Sequence, residues 1–113
     1  MSDELDLVRG TLDLFILKTV SWGPMHGLAI VRWIERVSES RLQVEEGALY
    51  PALHRMEQKG WLDAEWGLTD QNRRAKFYRL TRRGRAQLAG QTSMWERYVH
   101  AATLILSARG AEA

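Results

Sequence analysis

Cysteine is absent from this chain of 113 residues, and no long uninterrupted apolar run occurs in it. The first absence excludes a disulfide framework and a thiolate nucleophile. The second excludes a membrane-spanning helix, which needs about 20 consecutive apolar residues. The first residues, MSDELDL, are acidic and lack the basic start and apolar core of a secretion signal. We therefore expect a cytoplasmic protein that does not associate with membranes.

The signatures of catalysis and metal binding are also missing. His26, His54 and His100 lie far apart in the sequence and do not have the spacing of metal ligands. The sequence has no glycine-rich phosphate loop and no matched acid–base pair. We therefore expect no catalytic residues, no metal and no cofactor.

Acidic residues are missing from one long stretch. Residues 71–95 contain no aspartate or glutamate, although the net charge of the whole chain is only +2. The basic residues of this stretch are Arg73, Arg74, Lys76, Arg79, Arg82, Arg83 and Arg85. Such a concentrated block favours a polyanionic partner. A solvated basic surface is the alternative.

Helical periodicity dominates the first half of the chain. Apolar spacings of three and four predict helices over residues 5–22, 25–39 and about 45–59. Trp22-Gly23-Pro24 separates the first two, and residues 42–44 form either a very short strand or an extended linker. In the third helix we expect Leu49, Leu53 and Met56 to face inward.

Pro51 conflicts at first sight with a third helix, because proline lacks an amide hydrogen and crowds the carbonyl four residues earlier. Near a helix start the missing hydrogen bond costs little. The residue that the ring would crowd is Gly47, which has no side chain. We therefore expect a helix that is bent or begins late.

Alternation replaces the helical period after Gly60. It predicts two strands joined by a polar turn whose tip carries Asn72, Arg73 and Arg74. We expect Trp61 and Trp66, which flank the first strand, to pack against the helices.

Thr81 can cap a last helix that begins near Arg82. Its apolar positions follow a heptad pattern of Leu88, Thr92, Trp95, Val99, Ala102 and Leu106. Trp95 serves either in dimer packing or as an aromatic plate for a flat ligand between subunits.

This order of elements is typical of a winged helix-turn-helix, in a chain that is mainly α with a small β-hairpin. A helix such as the third fits the major groove of DNA, and an arginine-tipped hairpin fits the minor groove or the phosphates. The candidate DNA-binding residues are Tyr50, His54, Lys59, Arg73, Arg74 and Lys76. Alternatively, the Tyr50 hydroxyl could hold the neighbouring helix in place. His54 could be an exposed histidine without a role in binding.

The segments GALYPALHRMEQKGWL and RRAKFYRLTRRGRAQL, together with GPMHG at residues 23–27, resemble the PadR family of bacterial transcriptional regulators. The resemblance covers about residues 7–88. Two positions depart from the family pattern. Ala48 stands where a hydroxyl residue is expected, and Leu28 where an aromatic residue is expected.

The resemblance implies a homodimer that binds a palindromic operator in double-stranded DNA, usually as a repressor, and that responds to a small phenolic or drug-like effector. Residues 1–81 would be the winged helix-turn-helix domain and residues 82–113 the C-terminal dimerisation helix. The residues expected at the dimer interface or effector site are Leu88, Trp95, Val99 and Leu106. Two alternatives stay open: a winged-helix module for protein interaction, and a small-ligand carrier without operator preference.

Overall fold

A computed structural model describes residue 7 and residues 10–112. Over these residues the chain forms four α-helices and a small three-stranded sheet. The elements are α1 (Thr11–Thr19, continued by a 3₁₀ turn Val20–Trp22), β1 (Met25–His26), α2 (Gly27–Val37), α3 (Glu46–Gln58), β2 (Leu62–Leu68), β3 (Arg74–Leu80) and α4 (Arg82–Leu106). This architecture confirms the expectation of a mainly α winged helix with a β-hairpin.

The first two helices begin later than predicted. Gly10 has a left-handed backbone (φ 87°) directly before α1, and residues 5, 6, 8 and 9 of the predicted helix lie outside the described residues. The predicted start of the second helix at residue 25 is wrong, because Met25 and His26 pair with β3 as a short strand. Helix α2 starts after His26, whose Nδ1 accepts a hydrogen bond from the backbone amide of Ala29 (3.2 Å). A side-chain acceptor here satisfies one of the amides that the first helical turn leaves unpaired.

Helix α3 forms where the periodicity predicts it. Leu49, Leu53 and Met56 are fully buried. Pro51 lies inside the helix, and Gly47, one turn earlier, is exposed; a Cβ atom added to Gly47 would have no other atom within 4 Å. The helix begins at Glu46 and continues through the proline, so it does not begin late.

The sheet has the order β1-β3-β2 with antiparallel pairing throughout. The register of β2 and β3 runs from Leu62 opposite Leu80 to Leu68 opposite Arg74, which confirms the predicted hairpin. In the turn, the Thr69 amide donates to the Arg73 carbonyl (2.8 Å). Residues 42–44 form an extended linker in which only Leu42 makes a bridge.

The core lies between the helices and one face of the sheet. Its largest fully buried side chains include Ile16, Leu17, Ile30, Leu49, Leu53, Met56 and Leu62. Trp61 packs against this core as expected. The same expectation for Trp66 is wrong, because the hairpin extends past the core and leaves this side chain 58% exposed.

Helix α4 begins where the Thr81 side chain accepts a hydrogen bond from the Gly84 amide (3.0 Å), as the capping pattern predicts. It packs against α1 and β3 near its start. Its later turns carry exposed apolar side chains, which are Met94, Tyr98, Val99, Leu104, Ile105 and Leu106.

Candidate nucleic-acid interface

A cleft of about 530 Å³ opens between the β2–β3 hairpin, hereafter the wing, and the first turns of α2 and α3. We call it the wing cleft. The residues that matter for its chemistry are Arg32, Tyr50, Trp66, Arg73, Arg74 and Lys76. The cleft thus brings together four of the six candidate DNA-binding residues, namely Tyr50, Arg73, Arg74 and Lys76.

Tyr50 projects from α3 onto the start of α2. A Cβ atom added to Gly27 would lie 2.9 Å from Cε1 and 3.0 Å from the hydroxyl oxygen of Tyr50, so the ring rests directly on this glycine. About half of the side chain stays exposed. Tyr50 therefore packs against the neighbouring helix and also presents part of its surface to the cleft.

The two wing arginines differ in their surroundings. Arg73 is an exposed residue of the turn, where its backbone amide donates to the Thr69 hydroxyl (3.2 Å). Arg74 is the first residue of β3, and its guanidinium carbon lies 4.9 Å from the centroid of the Trp66 ring. Both side chains are exposed, which suits contact with a large anionic partner.

Lys76 is engaged with α3. Its Nζ donates to Oε1 of Glu57 at 3.0 Å, and both side chains are about one third exposed. This hydrogen bond raises the pKa of Lys76 above its ordinary value. The ammonium group lies 5.7 Å from the centroid of the Tyr78 ring, and burial raises the pKa of the Tyr78 hydroxyl. Lys76 therefore links the wing to α3.

His54 lies on α3, and Lys59 directly follows the last residue of that helix. Neither residue lines the wing cleft. His54 is exposed. Lys59 places its ammonium 4.7 Å from the centroid of the Trp61 ring. Arg55, also on this helix, forms an ion pair with Asp13 of α1.

Other residues that line the cleft are missing from the sequence-based set, among them His26, Arg32 and Trp66. His26 packs edge-on against Phe77, with 5.4 Å between ring centroids. Arg32 lies on the exposed side of α2, and Trp66 lies on the wing. The GPMHG segment contains a signal for His26, since a polar side chain before a helix can cap it. No local pattern indicates that Arg32 and Trp66 face the same cleft.

The four candidate interface residues on α4 lie in different environments. Leu88 packs partly buried against the core of its own chain. Trp95 stacks on Tyr98, with ring centroids 6.4 Å apart and planes inclined by 23°. Val99 is 40% exposed and Leu106 is 85% exposed. The end of the helix thus presents apolar surface that this chain does not cover.

Residue 7 and residues 10–112 contain neither a helix suited to span a membrane nor a group of metal-ligating side chains. No helix in this part of the chain has both the length and the apolar composition needed to cross a membrane. Nor do three His, Asp or Glu side chains of these residues come together as metal ligands.

The sequence matches known proteins over most of its length. The family model described as "Transcriptional regulator PadR-like family" matches residues 16–90. The transcriptional regulator Rv3488 of Mycobacterium tuberculosis is 36% identical over 81 residues, which cover 71% of each chain.

Solved structures agree with this match. A PadR family transcriptional regulator from Eggerthella lenta is 27% identical, with a TM-score of 0.75, and the match covers 89% of this chain and 86% of the other. A PadR family transcription regulator from Clostridium difficile is 25% identical, with a TM-score of 0.73 over 87% of this chain and 100% of the other.

Proposed function

This chain belongs to the PadR-like family of DNA-binding transcriptional regulators, and on that premise we propose that it is a homodimeric repressor of a palindromic operator. In this proposal α3 enters the major groove and the wing contacts the adjacent backbone and minor groove. Residues 1–81 act as the DNA-binding unit, and residues 82–113 hold the two subunits together.

The observation that carries the proposal is the shared wing cleft. Tyr50 of α3 and the three basic residues Arg73, Arg74 and Lys76 of the wing line the same open surface. A duplex places its major groove, a phosphate strand and its minor groove side by side. The cleft therefore offers a path for one phosphate strand between a helix and a hairpin that would occupy the neighbouring grooves.

The individual residues have different roles in this proposal. Arg73 and Arg74 make the main wing contacts, and Lys76 assists from β3, where it is paired with Glu57. Tyr50 and His54 face the DNA from α3, and Lys59 contacts a phosphate as a flexible point charge.

We also propose that α4 supplies the subunit contact. Trp95, Val99 and Leu106 lie along a heptad seam, and exposed apolar surface of this kind marks interaction sites. The stacked rings of Trp95 and Tyr98 offer a flat aromatic surface to a small aromatic effector. An effector bound there would change the angle between the subunits and release the DNA.

A titration against generic duplex DNA at increasing salt concentration tests the DNA-binding proposal. Binding should weaken as salt rises, because each phosphate contact releases counterions. The double variant Arg73→Ala/Arg74→Ala should bind more weakly, and its salt slope should fall by about one for each phosphate contact removed.

The matched control is Arg36→Ala/Arg109→Ala, which removes the same charge from exposed positions outside the wing cleft. We expect this control to retain most of the affinity and slope. Absence of binding at low ionic strength would instead favour a protein-interaction module. Equal losses in both double variants would indicate that net charge, and not the wing, governs binding.

A further inference from the structure

Arg73 and Arg74 are adjacent in sequence, but the structure separates them. Among the described residues, the Arg73 guanidinium has no hydrogen bond, ion pair or ring contact, and its position in the turn leaves it exposed. The Arg74 guanidinium lies over the indole of Trp66 at 4.9 Å. The Arg73 side chain is therefore exposed to solvent, whereas the Arg74 guanidinium stacks on an aromatic ring.

Strand register explains why Arg74 finds this plate. Leu68 pairs with Arg74, and Trp66 pairs with Lys76. Trp66 and Arg74 are thus diagonal neighbours on one face of the hairpin, a distance that long side chains can bridge. The end of this face nearer the core carries the buried Leu62. The part that carries Trp66 borders the open wing cleft.

Trp66 is 58% exposed although it points to the face of the hairpin that covers the core. Its distal position and its partner suggest a role other than core packing. A guanidinium that stacks on a ring uses its flat face and keeps its N–H donors free at the edge. Stacking also restricts the rotamers of the arginine, so less conformational entropy is lost on binding.

We propose that Trp66 is a positioning residue that holds Arg74 ready for a narrow minor groove, so that the wing selects A·T-rich sequence beside each half-site. This inference rests on the proposed function, because it assigns specificity within the same DNA interface. A-tracts have a narrow minor groove with enhanced negative potential, which attracts inserted arginine. Arg73, which no ring holds, contacts phosphate whatever the sequence.

The Glu57–Lys76 pair supports this arrangement from the same part of the wing. It joins α3 to β3 at 3.0 Å, and Lys76 is the register partner of Trp66. The pair fixes the wing relative to the helix that enters the major groove. Arg74 is therefore held at a set distance from that helix, and it meets the same part of the minor groove in every half-site.

The test compares two duplexes that carry the same half-sites, identified by selection of bound duplexes from a random pool, one with A-tract flanks and one with G·C flanks. The wild-type protein should prefer the A-tract flanks. Trp66→Leu should reduce that preference by roughly two- to fivefold, the effect of losing an exposed cation–π contact, with little change in affinity for G·C flanks. Trp66→Phe, which keeps a ring, should restore part of the preference.

Arg73→Ala is the matched control, and it should weaken binding to both duplexes equally. Arg74→Lys retains the charge without the planar group, and it should lose the preference as Trp66→Leu does. This second variant keeps the test decisive if Trp66→Leu fails to fold. The circular dichroism spectrum and melting temperature of each variant report folding separately.

Two results would overturn the inference and leave the proposed function intact. One is salt-dependent operator binding by the wild-type protein without flank preference. The other is an equal loss on both duplexes in Trp66→Leu and Arg74→Lys. Failure of the wild-type protein to bind either duplex would instead overturn the proposed function.

Discussion

A single glycine determines how closely α4 approaches the sheet. A Cβ atom at Gly84 would collide with the carbonyl oxygen of Trp61 and would lie 2.6 Å from Cδ1 of Leu80. The Thr81 hydroxyl donates to the Gly60 carbonyl (2.6 Å) and accepts from the Gly84 amide (3.0 Å). The first turn of α4 therefore rests on the start of β2 with no room for a methyl group.

At this scale we predict that Gly84→Ala and Gly90→Ala change stability in opposite directions. Gly84→Ala should lower the free energy of unfolding by about 1–3 kcal/mol, because the backbone must move to admit the methyl group. Gly90 lies in the same helix, and a Cβ atom added there would have no atom within 4 Å. Gly90→Ala should raise stability by about 0.5–1 kcal/mol through helix propensity.

Urea unfolding of both variants checks this prediction. A destabilised Gly90→Ala, or a Gly84→Ala as stable as the wild-type protein, would contradict the close packing at Gly84.

Individual residues differ in how far the sequence predicts their place. Periodicity was sufficient for Leu49 and Leu53, because burial on a helix repeats every three or four residues. It was insufficient for His26, since a strand of two residues carries no period. Trp66 was misplaced for a different reason. Its alternation was correct, but its burial depends on how far the hairpin extends past the core.

At the scale of elements, the ion pair between Glu57 and Lys76 joins α3 to β3. The hydrogen bond to Glu57 raises the pKa of Lys76 from its ordinary value of 10.5. Burial raises the pKa of Tyr78, on the same strand, from its ordinary value of 10.0. In both groups the protonated form is the one that the folded protein favours.

We therefore predict that stability declines at alkaline pH. The contribution of a group with a raised folded-state pKa is fully present below its unfolded pKa and is lost as pH rises through the folded pKa. The free energy of unfolding should fall above pH about 10, where both groups begin to lose protons. Glu57→Gln and Tyr78→Phe should each make this decline shallower.

Urea unfolding at a series of pH values from neutral to alkaline measures the decline. The control is Tyr98→Phe, which removes an exposed tyrosine hydroxyl from α4. It shows how much of the change in the curve comes from removing any tyrosine hydroxyl. If both test variants followed the wild-type curve, the loss of protons from Lys76 and Tyr78 would not be the cause of the decline.

The order of elements was predictable because each long segment has a clear period and each break carries glycine or proline. The distance between wing and α3 was not predictable. The ion pair that contributes to it joins residues 19 positions apart, and no local pattern indicates that pairing.

At the scale of the whole molecule, α4 continues beyond the core of its own chain. Tyr98, Ile105 and Leu106 are 67%, 74% and 85% exposed on its later turns. So much exposed apolar surface on one helix is unfavourable in water unless another chain covers it. The heptad pattern indicates a helical partner, and the proposed second subunit supplies one.

We predict that Trp95→Ala weakens the dimer. Loss of a large aromatic anchor at an interface centre typically costs about 2 kcal/mol or more, which is roughly a thirtyfold rise in the dissociation constant. Trp22→Ala removes an exposed tryptophan from the 3₁₀ turn after α1. This control should leave the dimer unchanged.

Sedimentation equilibrium over a range of concentrations gives the dissociation constants of both variants and of the wild-type protein.

The heptad pattern predicts that the positions from Trp95 onward face a second helix. Leu88 illustrates the limit, because the same seam position packs into the chain's own core. Periodicity shows which side of a helix is apolar but not which neighbour covers it.

The central claim is that two subunits present two α3 helices and two basic wings to one symmetric DNA site. Selection of bound duplexes from a random pool, followed by sequencing, tests this claim most directly. We predict an inverted repeat whose half-site centres lie about 10 base pairs apart, one turn of the duplex. Recovery of a single unrepeated half-site, or of no common sequence, would contradict the claim.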